Sequence, residues 1–160
     1  GPETRQMNKT ISYGAMMANQ IATLEHIGLF DAPVRTMGLD PLPTPTTTGP
    51  ATTLDARARS YIHANCAICH RPGGEYPAID LRWSTALKDA NICNVDQNKG
   101  DVGVPTSKRF VPGMPGQSVL YLRMNTLNKL ARMPQLATSV IDPLGTKLVS
   151  DWITATKMCP

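Results

Sequence analysis

The five residues Cys66-Ala67-Ile68-Cys69-His70 constrain this chain more than any other stretch of it. Two thiols three positions apart, followed at once by an imidazole, form the spacing that attaches a c-type haem. Each sulfur adds to one vinyl group, and the next residue lies beneath the iron. Cys66 and Cys69 are then the thioether positions, and His70 is the proximal ligand. Two other chemistries use the same pair. A thioredoxin-like dithiol opens a helix after a strand, whereas here a helical pattern precedes the motif. A zinc site could take Cys66, Cys69, Cys93 and Cys159, which leaves His70 without a task. Composition favours the first reading. Aromatic residues are only 5% of the chain, with two Trp and two Phe. The core is therefore aliphatic and Met-rich, or it is filled by a group that is not protein, and a porphyrin is such a group.

A c-type haem raises the question of a sixth ligand, which methionine often supplies. Four methionines follow the motif. Met124 falls on the apolar face of a helical pattern and reads as core. Met158 lies beyond the last helix, and Met114 sits in the turn Pro112-Gly113-Met114-Pro115-Gly116. Met133 stands in Arg132-Met133-Pro134, where proline stiffens a loop that can hold a thioether in place. Met133 is the expected distal ligand, so His70 and Met133 are the expected iron ligands. His26 and His63 read as surface or hydrogen-bonded histidines.

The rest of the chain reads as helices and loops, and nothing in it calls for a sheet. Apolar residues at Ile11, Met16, Met17, Ile21, Leu24 and Ile27 predict a helix over 10–28 that stops at Gly28. The Pro- and Thr-rich run from Asp40 to Pro50 predicts an extended strap. It separates an N-terminal extension, 1–50, expected to pack on the main domain, from that domain, 51–160. Asp55 predicts the cap of a helix over 56–65, and a short helix is expected around 84–91. Ser118 predicts the cap of a helix from Val119 to about Leu130. Asp142-Pro143 starts a terminal helix with Leu144, Leu148 and Trp152 inward. The opening Gly1-Pro2 reads as a scar of tag removal, and the chain as a segment of something longer.

From about Leu54 onward the chain resembles the class I c-type cytochromes. More closely, it is similar to the C-terminal haem domains of large secreted bacterial proteins. The stretches that carry the likeness include Thr4 to Asn8, Asn19 to Leu24, His63 to Gly74, Asp80-Leu81-Arg82, Val111-Pro112-Gly113 and Arg132-Met133-Pro134. Two positions depart from the pattern: Met114 stands where Asp is common, and Gln135 where a second proline is usual. The resemblance implies an all-α cytochrome c fold around one covalent haem c, with crossed first and last helices meeting at Tyr61 and Trp152. It also implies a module that exchanges electrons with a redox protein or a fused redox domain, serving a sugar- or polysaccharide-oxidising system.

The resulting expectation is a monomeric one-electron carrier, not an enzyme. Its rivals are a peroxidase-type haem enzyme, recruiting His26 or His63 with Arg132, and a redox or gas sensor. The net charge of +4 is scattered and lacks stacking aromatics, which argues against nucleic acid. No apolar run approaches the roughly 20 residues of a membrane span. Haem attachment of this kind places the chain outside the bacterial cytoplasm, periplasmic or secreted. In that oxidising setting Cys93 and Cys159 are expected to pair, the alternative being two buried thiols.

Overall fold

The computed structural model describes residues 3–36, 38–50, 52–136 and 138–160. Gly1 and Pro2, read above as a scar, lie outside the described residues. The chain divides into two units, Gly1–Pro43 and Thr44–Pro160.

The first unit holds two short helices and a hairpin: α1 (Thr4–Met7), β1 (Thr10–Ser12), β2 (Met17–Asn19) and α2 (Gln20–His26). The strands are antiparallel, with Thr10 opposite Asn19, Ile11 opposite Ala18 and Ser12 opposite Met17. The expected helix over 10–28 therefore exists only in its second half. Its first half turns at Gly14, whose φ of +80° is the left-handed conformation that glycine adopts without strain. The Tyr13 amide donates across this turn to the Met16 carbonyl at 2.8 Å. Helix α2 starts where Asn19 accepts from the amides of Ile21 and Ala22, at 3.0 and 3.2 Å. It ends as the sequence predicts, at Gly28 with φ +73°. There the Leu29 amide reaches the Leu24 carbonyl and the Gly28 amide the Glu25 carbonyl, the paired bonds of a Schellman motif. The start of the proline-rich run is held rather than loose. Leu42 is buried and its amide donates to the Arg5 carbonyl, while Arg5 Nε reaches the Asp40 carbonyl.

The second unit contains α3 (Leu54–Cys66), α4 (Val119–Met124) and α5 (Pro143–Ala155), joined by long loops with single 3-10 turns at Leu87–Asp89 and Pro115–Gln117. Helix α3 is capped by Thr53, whose hydroxyl accepts from the Ala56 amide at 3.0 Å. The expected cap, Asp55, accepts instead from Trp152 Nε1 at 2.9 Å and so ties α3 to α5. Asp142 caps α5 as expected, accepting from Leu144 and Gly145 at 3.0 Å each, and it accepts from the Tyr61 hydroxyl at 2.9 Å as well. The buried stripe of α5 is Leu148, Val149, Trp152 and Ile153, whereas Leu144 is exposed. Trp152 meets Phe110 edge to face, ring centres 4.9 Å apart. Tyr61 lies against Gly145, where a Cβ would fall 2.1 Å from the tyrosine Cζ, and it packs on the buried cluster that includes Trp152. Ser118 does not cap α4. Its buried hydroxyl accepts from the Val111 amide and donates to the Met114 carbonyl, closing the 111–114 turn and leaving α4 only six residues long.

A disulfide joins Cys93 to Cys159 across 66 positions. In the chain-entropy picture, closing a loop of that length removes about 4 kcal/mol of unfolded-state freedom.

The expectation of an all-α cytochrome c fold is corrected by the hairpin. The fold is mixed α/β, a small protein with a two-stranded antiparallel sheet and modest helical content. Its physical cause is local: β-branched Thr10 and Ile11 pair across a turn that a continuous helix would have had to bury at Gly14.

The crossing of α3 and α5 yields two expected outcomes. Gly145→Ala costs about 1–3 kcal/mol in urea unfolding because the methyl overlaps the tyrosine ring. In a Tyr61→Ala background the same change becomes neutral or stabilising, since alanine favours helix by roughly 1 kcal/mol. The Gly145 amide, with the Tyr61 hydroxyl and the Leu144 amide, holds the Asp142 carboxyl below its ordinary pKa. That contribution is complete above the ordinary value and is lost as pH falls through the lowered one. Asp142→Asn should accordingly flatten the acid limb of the stability profile in the same assay.

Candidate ligand-binding cavity

The Cys-x-x-Cys-His segment is the unwinding end of α3. The Cys69 and His70 amides both donate to the Cys66 carbonyl, at 3.1 and 2.9 Å, so the chain turns tightly after the helix. Gly74 completes the turn: a side chain there would strike the Cys69 carbonyl oxygen at 2.4 Å. The His70 carbonyl accepts from the Leu81 amide and the Cys69 carbonyl from that of Tyr76. The Tyr76 ring stacks on the imidazole, centres 5.5 Å apart. His70 is thus fixed on both its backbone and its ring, yet its Nδ1 is buried with no hydrogen-bond partner.

Beside it opens a cavity of about 310 Å³. Cys66, His70 and Met133 all face it, with Ile79, Leu81, Ile92, Leu120 and Met124 supplying apolar wall. A second cavity of about 150 Å³ shares Cys66, Met124 and Met133 with the first. The structure therefore brings three of the four expected site residues to one cavity. Cys69 is exposed and lines neither. Met114 and Met158 are exposed elsewhere. His63 Nδ1 accepts from the Trp83 amide at 3.2 Å. His26 is an exposed residue in the last turn of α2.

Sequence reasoning missed Arg123. Its guanidinium donates to the Ala131 carbonyl at 2.9 Å and to those of Lys99 and Gly100, while its own carbonyl accepts from the Met133 amide at 2.8 Å. One side chain thereby holds both loops that edge the cavity. Lys99, Arg109 and Arg123 lie in the lining, and no Asp or Glu does among the described residues.

The titrations follow from burial. Burial lowers the His70 pKa, so the imidazole is neutral at pH 7. Burial, and then the neighbouring Cys69, pushes the Cys66 thiol up to about 12. The thiol also stands at the carboxyl end of α3, where the helix dipole disfavours an anion. At pH 7 this thiol is protonated. Cys66 is therefore no thioredoxin-like nucleophile, whose thiolate is stabilised at the opposite end of a helix.

Comparison with known proteins finds no matching family model, no matching curated protein and no matching solved structure. The resemblance to class I c-type cytochromes is corrected accordingly, together with the fold it implied. The expectations of a covalent haem c, of a haem-borne electron carrier, and of its peroxidase and sensor rivals do not stand. Among the described residues no three His, Cys, Asp or Glu side chains gather into a metal-binding group. Cysteine pairing joins Cys93 to Cys159, while Cys66 and Cys69 are free thiols.

Thiol chemistry offers a direct check. In denaturant without reductant, a disulfide-exchange reagent should count two thiols; a count of zero would show both sulfurs covalently engaged. In the native protein Cys69 should alkylate readily with iodoacetamide at pH 8. Cys66 should react far more slowly, its rate still climbing as pH passes 9.

Proposed function

We propose that residues 44–160 form a binding domain whose cavity takes a small, mostly apolar organic anion. The observation that carries this reading is the make-up of the cavity. Its wall is aliphatic and thioether-rich, one neutral imidazole faces inward with an unpaired nitrogen, and the charged lining is wholly cationic. Size and character suit a small-molecule site, apolar with a few polar groups that fix orientation. The imidazole of His70 and the thioether of Met133 contact the ligand, and the Cys66–Cys69 turn borders it.

On this reading the domain is a binding module rather than an enzyme. A compartment outside the cytoplasm is supported by the Cys93–Cys159 disulfide, since such bonds persist where thiols are not kept reduced.

Anilinonaphthalene sulfonate, an apolar organic anion, probes the cavity directly. Fluorescence titration should give one saturable site with blue-shifted emission. Met124→Trp, which fills the wall shared by both cavities, should weaken binding roughly tenfold, or about 1.4 kcal/mol. Arg109→Gln should weaken it by less. Unsaturable binding, or equal affinity in the Met124→Trp protein with an unchanged circular dichroism spectrum, sinks the proposal.

A further inference from the structure

Charge is distributed unevenly along this chain. Between Asp101 and Asp142 stand Lys108, Arg109, Arg123, Lys129 and Arg132 with no acidic residue among them. The chain has 16 Lys and Arg in total and 12 Asp and Glu, all 12 of the latter elsewhere. The whole net positive charge therefore resides in this one stretch.

The same stretch carries apolar side chains that the fold leaves uncovered. Leu130 is 90% exposed, Leu136 82% and Val140 75%, with Leu127 exposed as well. Their place in the fold is specific. Leu130 and Gln135 line the larger cavity, Leu127 and Val140 the smaller, and Met133 both. The 127–140 loop thus brackets the two openings, and Arg123 fixes its root through the Ala131 carbonyl and the Met133 amide. Solvent-exposed leucines around a cavity mouth are not what an isolated surface needs.

We propose that the 127–140 loop is a docking surface for a protein whose complementary face is acidic at its rim and apolar at its centre. Charge complementarity selects the partner: the loop carries Lys129 and Arg132, the larger cavity beside it is lined by Lys99, Arg109 and Arg123, and against these five cations stand only Asp101 and Asp142 in the neighbouring linings, so the surface repels a basic face and steers an acidic one. The leucines supply the dry centre that holds the complex once formed. An anionic lipid surface fits less well. Lipid-binding segments present a long amphipathic helix with aromatic anchors, whereas this loop has no aromatic residue and the neighbouring α4 is six residues long. The proposal deepens the binding-domain reading, because a partner seated here would cover the mouth of the ligand cavity.

The test uses the intact 160-residue chain, labelled with ¹⁵N. The probe is a synthetic peptide of alternating glutamate and leucine. Its controls are a glutamate–serine peptide, a lysine–leucine peptide and phosphatidylglycerol vesicles. Amide shifts should be confined to residues 127–140 and the cavity rim, should saturate, and should fade on raising salt. The glutamate–serine peptide should bind roughly tenfold more weakly, as should the Leu136→Ser/Lys129→Glu protein. Neither substituted residue lines a cavity, so the anilinonaphthalene sulfonate affinity of that variant should be unchanged. Shifts scattered over every basic residue, equal binding of the serine peptide, or preferential binding of the vesicles through the same loop would overturn the proposal. Loss of the cavity reading shows separately, as failure of the dye to saturate the unsubstituted chain.

Discussion

The second unit depends on how closely α3 and α5 approach each other. Gly145 has no side chain, and the Tyr61 ring occupies the space that one would fill. Asp142 then serves three donors at once, two amides of its own helix and the tyrosine hydroxyl from the other. At the far end Asp55 and Trp152 close the same pair of helices. The Phe110–Trp152 contact brings the long loop into this frame, and with it the strands of chain that edge the cavity. Neither helix could rotate without breaking a buried or bridging bond. Because Cys66 is the last residue of α3, the thiol and imidazole turn inherits its position from that crossing.

Burial decides what the turn can do. The Cys66 thiol, at the carboxyl end of a helix and against an apolar wall, is held neutral. The His70 imidazole in the same wall is likewise neutral. The chemistry available at pH 7 is that of uncharged donors next to a cavity with positive edges. Charge enters only at the rim, where guanidinium and ammonium groups keep contact with water.

Much of the second unit was legible in the residues. Asp142-Pro143 marks a helix start because a side-chain acceptor and a residue lacking an amide hydrogen both suit that position, and the structure begins α5 there. Gly28 stops α2 for an equally local reason. His70 and Met133 line one cavity, but the motif and loop chemistry that paired them rested on a haem that does not stand. The failures have a common origin, in which a local preference met a competing partner. Asp55 and Ser118 are both good caps, but each found a bond outside its own helix, with Trp152 and with the 111–114 turn. The apolar spacing over 10–28 matched a helix, but Gly14 and the β-branched Thr10 and Ile11 ahead of it favoured a hairpin. Arg123 was invisible because its role is to serve carbonyls, and carbonyls leave no mark in a sequence. The likeness to cytochromes rested on short matches in order, and neither the mixed fold nor comparison with known proteins supports it.

The Cys93–Cys159 bond encloses more than a loop. Every residue of the cavity edge from Gln97 to Gln135, together with α4 and α5, lies between those two cysteines. The 127–140 segment, where Leu127, Leu130, Leu136 and Val140 are exposed, is thus an arc of a covalent ring rather than a link between two ends. Cleavage of one peptide bond there would open the ring but release nothing. Both fragments would stay tethered at the base of the fold, α5 still positioned against α3. Such a chain could be cut in this loop and remain a single molecule.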